Sequence, residues 1–182
     1  MPTNIPADSG TGTVGLINWL GMVDDFAGTT VNNSGGAVAG VALSLISGGS
    51  GAGPYPGNAS SITLSFSMTG LENPVLTLAA QRTPTGFTSH QVAYSTDGGV
   101  SYADFGAPQT PAASFALQTW NLSALNALDY APAVLLKITF AGATGSTGNN
   151  RIDNLQINAV PETTAGLLGA LGLLAILRRR RG

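Results

Sequence analysis

The chain has no cysteine among its 182 residues. This excludes thiol nucleophiles, thiolate metal sites and disulfide scaffolds. Charged residues are also scarce, at 9% of the chain, against about 25% in an average soluble protein. Hydrophobic residues make up 43%, which is not the composition of a disordered segment. The sequence therefore predicts one folded domain with a sizeable core.

Positive charge is concentrated at the C-terminus. Arg82, Lys137 and Arg151 are the only cations before Thr163, where nine acidic residues bring the net charge to −6. A domain so poor in cations cannot neutralise a nucleic-acid backbone. We therefore exclude nucleic acid as a partner.

Residues typical of catalytic sites are few. His90 is the only histidine, and a lone histidine without cysteines cannot complete a zinc site of nitrogen and sulfur ligands. We predict that His90 is structural and that the protein is not an enzyme. A glycoside hydrolase, which needs two facing carboxylates, stays open as an alternative. The acids that it would draw on all lie in turn-like sequence: Glu72, Asp97, Asp104, Asp129 and Asp153.

Long amphipathic helices are missing before the C-terminus, and alternation with a period of two is common. Residues 61–69 alternate apolar and hydroxyl side chains, as in a strand with one buried face. Short β-type segments of this kind predict an all-β, antiparallel β-sandwich that is jelly-roll-like. The predicted strands are 14–19, 22–26, 37–46, 61–69, 74–82, 89–94, 100–105, 113–120, 134–140 and 151–159. Ile152 is out of phase with the last strand, which predicts a β-bulge near Asp153 and Asn154.

A hairpin is predicted where Asp97-Gly98-Gly99 separates two β-type segments. The run from Ser95 to Tyr102 is similar to the Asp-box of sialidase propellers, which carry several copies where this chain has one. The resemblance implies a structural hairpin clasp. The physical expectation agrees, because Asp97 can accept backbone N–H bonds while the glycines take positive φ.

Calcium is the one cofactor for which the sequence offers ligands. Asp24, Asp25, Asp153 and Asn154 lie beside Gly-rich loops and supply the hard oxygens that this ion prefers. We state them as candidate calcium ligands, with turn capping as the alternative. Five aromatic residues could form a sugar-stacking platform, although a chain with 7% aromatics needs most of them in its core. They are Trp19, Trp120, Tyr55, Tyr94 and Tyr102.

The C-terminal segment 160–182 has three parts. Val160, Pro161 and Glu162 come first, residues 163–177 carry no charge, and Arg178, Arg179, Arg180 and Arg181 follow. A helix over 163–177 would be about 22 Å long, and arginines are costly within a bilayer. We predict a short membrane helix with a basic stop signal that leaves the preceding domain outside the cytoplasm. Residues 1–8 have no signal-peptide features, so we expect an export signal upstream of the recorded start.

This three-part order resembles the PEP-CTERM sorting signal of Gram-negative bacteria, with Thr163 where that family usually has a second proline. The resemblance implies export, an inner-membrane precursor, and processing at 160–162 by an exosortase-type enzyme. Two further runs, 94–99 and 149–154, resemble the jelly-roll ectodomains of such proteins.

The predicted organisation is a flexible segment 1–12, a sandwich domain 13–159 and a sorting signal 160–182. We predict a non-catalytic protein of the cell surface or extracellular matrix. A carbohydrate- or exopolysaccharide-binding module is the alternative, with extracellular polysaccharide as the partner.

Overall fold

The computed structural model describes residues 4–49 and 52–162, which form eleven β-strands. The strands are β1 Asn4–Pro6, β2 Thr13–Ile17, β3 Met22–Ala27, β4 Val41–Ile46, β5 Ser61–Phe66, β6 Leu71–Arg82, β7 Ser89–Ser95, β8 Ala103–Gln109, β9 Ala116–Asn121, β10 Val134–Ala141 and β11 Asn149–Pro161. One sheet has the order β1-β2-β5-β10-β7-β8, and the other has the order β3-β4-β11-β6-β9. All pairings are antiparallel. The predicted all-β antiparallel sandwich is confirmed.

The core lies between the two sheets and follows from the alternation of the central strands. On β10, Leu136 and Ile138 are fully buried, whereas Lys137 between them is only half-buried. The neighbouring strand β5 places Ile62 and Leu64 on the same buried face. Burial of such side chains is worth about 1.5–3 kcal/mol each. The core therefore fixes which residues of each strand point to the opposite, outer face.

Each of the ten predicted strands overlaps an observed one, and two predicted boundaries change. The segment predicted to be flexible, 1–12, contains β1, which pairs with β2 from Asn4 opposite Gly15 to Pro6 opposite Thr13. Backbone pairing in a hairpin needs no side-chain alternation, so the sequence carried no signal for this strand. At the other end, β11 continues past residue 159 to Pro161, which lies opposite Leu71.

The bulge predicted near Asp153 and Asn154 is confirmed. The register of β11 against β6 shifts between Asp153 and Gln156, and Asn154 has a φ of 48°. The extra residue turns the Asn154 side chain towards the loop that follows β3, where its amide donates to the carbonyls of Thr29 and Val31.

Across residues 4–49 and 52–162, the protein has no helix with the length and apolar character needed to span a bilayer. The predicted membrane helix 163–177 and the arginines 178–181 lie outside the described residues.

His90 lies in the core, where it connects the two sheets. Its Nδ1 is 2.7 Å from Oε1 of Gln118 on β9, and its Nε2 is 2.8 Å from Nδ2 of Asn150 on β11. Asn150 Nδ2 also donates to the carbonyl of Phe87, so Nε2 accepts and Nδ1 donates. The ring packs edge-on against Phe140, with a centroid distance of 4.7 Å. Burial lowers the His90 pKa from 6.5 to about 4, against the opposing effect of the Gln118 hydrogen bond.

We predict that the free energy of unfolding decreases as the pH falls from about 6.5 towards about 4. In this range His90 is protonated in the unfolded chain but stays neutral in the folded protein, because its pKa is lower there. The loss attributable to this residue is about 2 kcal/mol between about pH 6.5 and about pH 4.5. Urea unfolding at several pH values measures it. His90→Gln should be less stable at neutral pH and should lack this part of the slope. An identical slope in the variant would contradict the assignment.

Candidate functional site: a polar groove on the six-stranded sheet

A groove of about 460 Å³ lies on the outer face of the six-stranded sheet. Its floor comes from β2, β5 and β10, and its walls come from β1 and from the loop between β7 and β8. The volume is in the range of small-molecule sites, about 300–1,000 Å³. The lining residues are Asn4, Thr13, Gly15, Leu16, Ile17, Thr63, Ser65, Gly98, Gly99, Tyr102 and Leu135.

The floor is built by strand register. Gly15 of β2 lies opposite Thr63 of β5, which lies opposite Lys137 of β10. The Thr63 side chain is only 8% exposed, and its buried Oγ1 has no hydrogen-bond partner among the described residues. A buried hydroxyl without a partner carries a desolvation cost of about 1–3 kcal/mol.

Tyr102 forms one wall of the groove, and Lys137 lies against its ring. The Lys137 Nζ lies 4.1 Å from the centroid of the Tyr102 ring, which is a cation–π contact. Partial burial, and then the nearby Asp97 carboxylate, raise the pKa of the Tyr102 phenol. The phenol therefore stays protonated and can donate a hydrogen bond at neutral pH.

The loop that carries this wall is fastened by Asp97. Its carboxylate accepts hydrogen bonds from the Ser101 amide, the Ser101 hydroxyl and the Ser95 hydroxyl, with the shortest O–O distance 2.5 Å. The hydrogen bonds from Ser101 and then from Ser95 hold the Asp97 pKa well below its usual range. The carboxylate is thus satisfied within its own hairpin, as the Asp-box resemblance implied.

The candidate calcium ligands are occupied by other interactions or lie apart. Asp153 accepts a hydrogen bond from the Thr29 amide at 2.7 Å, and Asn154 holds the same loop. Asp24 and Asp25 are exposed on the edge strand β3. Within the described ranges, no three acidic or histidine side chains gather where they could hold a metal ion. Calcium binding stays a sequence prediction.

The motif Val160, Pro161 and Glu162 lies at the surface, at the end of β11. Val160 is 48% exposed, and the Glu162 amide donates to the carbonyl of Gly70. Of the predicted sorting signal, this is the part that the structure describes.

Sequence reasoning missed most of the groove. Thr63 belongs to a correctly predicted strand, but its hydroxyl fits an ordinary solvent-facing position equally well. Of the five aromatics considered for a sugar platform, Tyr102 reaches the groove, while Trp19, Trp120 and Tyr94 pack with the core. Lys137 carried no signal, because its position over Tyr102 depends on strands distant in sequence.

No protein-family model and no curated protein match the sequence. Several solved structures are similar in fold. An exo-β-agarase matches with a TM-score of 0.50 at 12% identity, over 88% of this chain and 25% of the agarase chain. The module TmCBM61, solved with β-1,4-galactotriose, matches with a TM-score of 0.46 at 11% identity, over 81% of this chain and 88% of that one.

A further match is the xylan-binding domain CBM22-1 of Xyn10C from Paenibacillus barcinonensis, with a TM-score of 0.45 at 14% identity, over 86% of this chain and 90% of that one. At such identities the similarity extends to the two-sheet fold alone.

We predict that Gly99→Ala destabilises the protein more than Gly98→Ala. Both glycines have positive φ, which costs an alanine about 1 kcal/mol. A Cβ on Gly98 would meet nothing within 4 Å, whereas one on Gly99 would lie 3.1 Å from Leu135 Cδ1 and 3.2 Å from the Tyr102 oxygen. We expect a total loss of about 2 kcal/mol for Gly99→Ala, measured by urea unfolding. Equal losses would mean that this wall of the groove is not tightly packed.

Proposed function

We propose that this domain is a non-catalytic carbohydrate-binding module of an exported protein, with its ligand in the groove on the six-stranded sheet. The observation that carries the proposal is the combination of the hydroxyl residues Thr13 and Ser65 with the Tyr102 ring in the same groove. Sugars present hydroxyl groups that both donate and accept hydrogen bonds, together with apolar C–H faces. Threonine and serine hydroxyls match the first feature, and an aromatic ring matches the second.

Binding without cleavage is supported by the composition of the groove. Its lining residues in the described part of the chain include no aspartate, glutamate or histidine. Glycoside hydrolysis needs two carboxylates flanking the scissile bond, and the nearest candidate, Asp97, is held by Ser95 and Ser101. The hydrolase alternative therefore has less support than the binding module.

The fold is compatible with this function but does not establish it. The similar structures include a module solved with β-1,4-galactotriose and a xylan-binding domain, so galactans and xylans are sensible first ligands to test. We also infer from the strand order that β4 to β11 form a jelly roll, with β4-β11-β6-β9 facing β5-β10-β7-β8.

We further propose that the segment 160–182 directs the protein to the inner membrane and then, through an exosortase-type enzyme, to the cell surface or matrix. Support comes from the sequence of the segment and from the exposed position of Val160 and Glu162 at the end of β11. The tail therefore leaves the domain at its surface, where an enzyme has access to it.

We predict that Tyr102→Ala lowers the affinity for the bound oligosaccharide by about tenfold, because it removes the stacking surface. Isothermal titration against β-1,4-galactan, xylan and agarose oligomers identifies the ligand and measures the change. Tyr130→Ala is the matched control, since Tyr130 is 44% exposed and lies outside the groove.

Thr63→Val is a second matched variant. It should leave the free energy of unfolding unchanged or slightly higher, because the lost hydroxyl has no partner in the free protein. It should also leave binding within about twofold, because the buried hydroxyl oxygen does not face the groove. Absence of binding across a broad glycan panel, or equal binding by all of these variants, would contradict the proposed site.

For the tail, we predict that the chain expressed behind a functional export leader fractionates with the inner membrane. Truncation after Glu162 should release the domain into the periplasm, since the apolar segment is lost. Replacing Arg178–Arg181 by glutamines is the matched variant, and it should reduce correct anchoring because the stop signal is gone. A full-length chain that stays soluble after export would contradict this proposal.

A further inference from the structure

Of the three cations in the described residues, Lys137 and Arg151 have no oxygen acceptor, and Lys137 is the one that contacts a residue of the groove. Arg82 donates to the carbonyls of Pro111, Thr83 and Pro84, and Arg151 stacks on the Phe26 ring. Lys137 contacts the Tyr102 ring, and within residues 4–49 and 52–162 its ammonium has neither a hydrogen bond nor an ion pair. Its three N–H donors are therefore free to face a ligand.

The position of Lys137 is fixed by the sheet. It lies on β10, with Thr63 of β5 on one side and Ala93 of β7 on the other. Its side chain is half-buried, and the cation–π contact holds the ammonium over Tyr102, beside the groove. The head group is thus positioned before any ligand arrives, which lowers the entropic cost of binding.

Thr63, a residue that lines the groove, lies directly beside it. The two residues are register partners, which places Lys137 next to the floor of the groove. The ammonium can donate to an acceptor group of a ligand that reaches this part of the groove. A carboxylate is acceptor-only, with two oxygens, and pairs with cations through short, charge-assisted hydrogen bonds.

We propose that the groove selects a carboxylate-bearing sugar, a uronic acid residue of an acidic polysaccharide, with its carboxylate on the Lys137 ammonium. This inference rests on the proposed carbohydrate-binding function and names its substrate class. The net charge of −6 on residues before Thr163 gives no general attraction for polyanions. The preference for an acidic sugar therefore depends on the single ion pair that its carboxylate forms with Lys137, and added salt weakens this pair.

The acidic residues Asp104 and Asp97 do not form an ion pair with the Lys137 ammonium. Asp104 lies in the same register row but two strands away, beyond Ala93, and is exposed. Asp97 is held by Ser95 and Ser101. A carboxylate supplied by a ligand would therefore be the partner that the ammonium lacks.

The test uses ligand pairs that differ only in charge. Galacturonan oligomers are compared with the same oligomers after methyl esterification, and glucuronoxylan with its carboxyl-reduced form, by isothermal titration on the full domain. The wild type should bind at least one acid form about tenfold more tightly than its neutral counterpart. This preference should diminish as the salt concentration rises from about 0.05 to about 0.5 M.

Lys137→Met keeps the length of the side chain and removes the charge. It should abolish the preference for the acid form, measured as the ratio of the affinities for the acid and the neutral form. Lys137→Arg, which retains the charge, should keep most of the preference, and thermal melts of each variant verify folding. If Lys137→Met is unstable, Lys137→Gln serves in its place, because it also removes the positive charge.

The possible outcomes separate the two proposals. If neutral glycans bind in a Tyr102-dependent way but no acid form is preferred, or if Lys137→Met keeps the preference, the uronic acid inference is wrong and the binding module stands. If neither acidic nor neutral glycans bind, the proposed function fails, and this inference fails with it.

Discussion

The pairing of β5 with β10 is the constraint on which the rest of the structure depends. Leu64 opposite Leu136 and Ile62 opposite Ile138 fill the centre of the core. The same register places Thr63 beside Lys137 on the other side of the sheet. Because side chains alternate with a period of two, a slip of one residue would expose the core leucines and bury the groove residues. The hydrophobic core therefore holds the polar site in place.

Much of the fold could be predicted because its signals are local. The alternation in β5 and β10, the Asp97 hairpin and the phase break before Asp153 each lie within a few residues of sequence. The groove has no such signal. It requires β2, β5 and β10 to be neighbours and the loop after β7 to reach over them, which are contacts between residues far apart in the chain. The sequence also gave no indication of β1, whose backbone alone pairs with β2.

The predicted calcium residues illustrate a second limit of sequence reasoning. Asp153 and Asn154 beside glycine-rich loops have the composition of a cation site, yet here they hold the loop after β3 through the Thr29 amide and carbonyl. Aspartate and asparagine side chains can coordinate a cation through their oxygens, whereas here Asp153 accepts from the Thr29 amide and Asn154 donates from its Nδ2. Composition identifies a place where such groups are needed, and three-dimensional contacts decide what they bind.

Part of the groove and Glu162, the last described residue, lie at the same end of the sandwich. Strand β5 ends at Phe66, just after the groove residue Ser65, and the turn through Gly70 leads into β6. The start of β6 at Leu71 pairs with Pro161, and the Glu162 amide donates to Gly70. Strands β6 and β11 belong to the five-stranded sheet, whereas the groove lies on the outer face of the six-stranded sheet. The chain therefore reaches residue 162 on the sheet that does not carry the groove, so that its continuation starts away from the proposed ligand site.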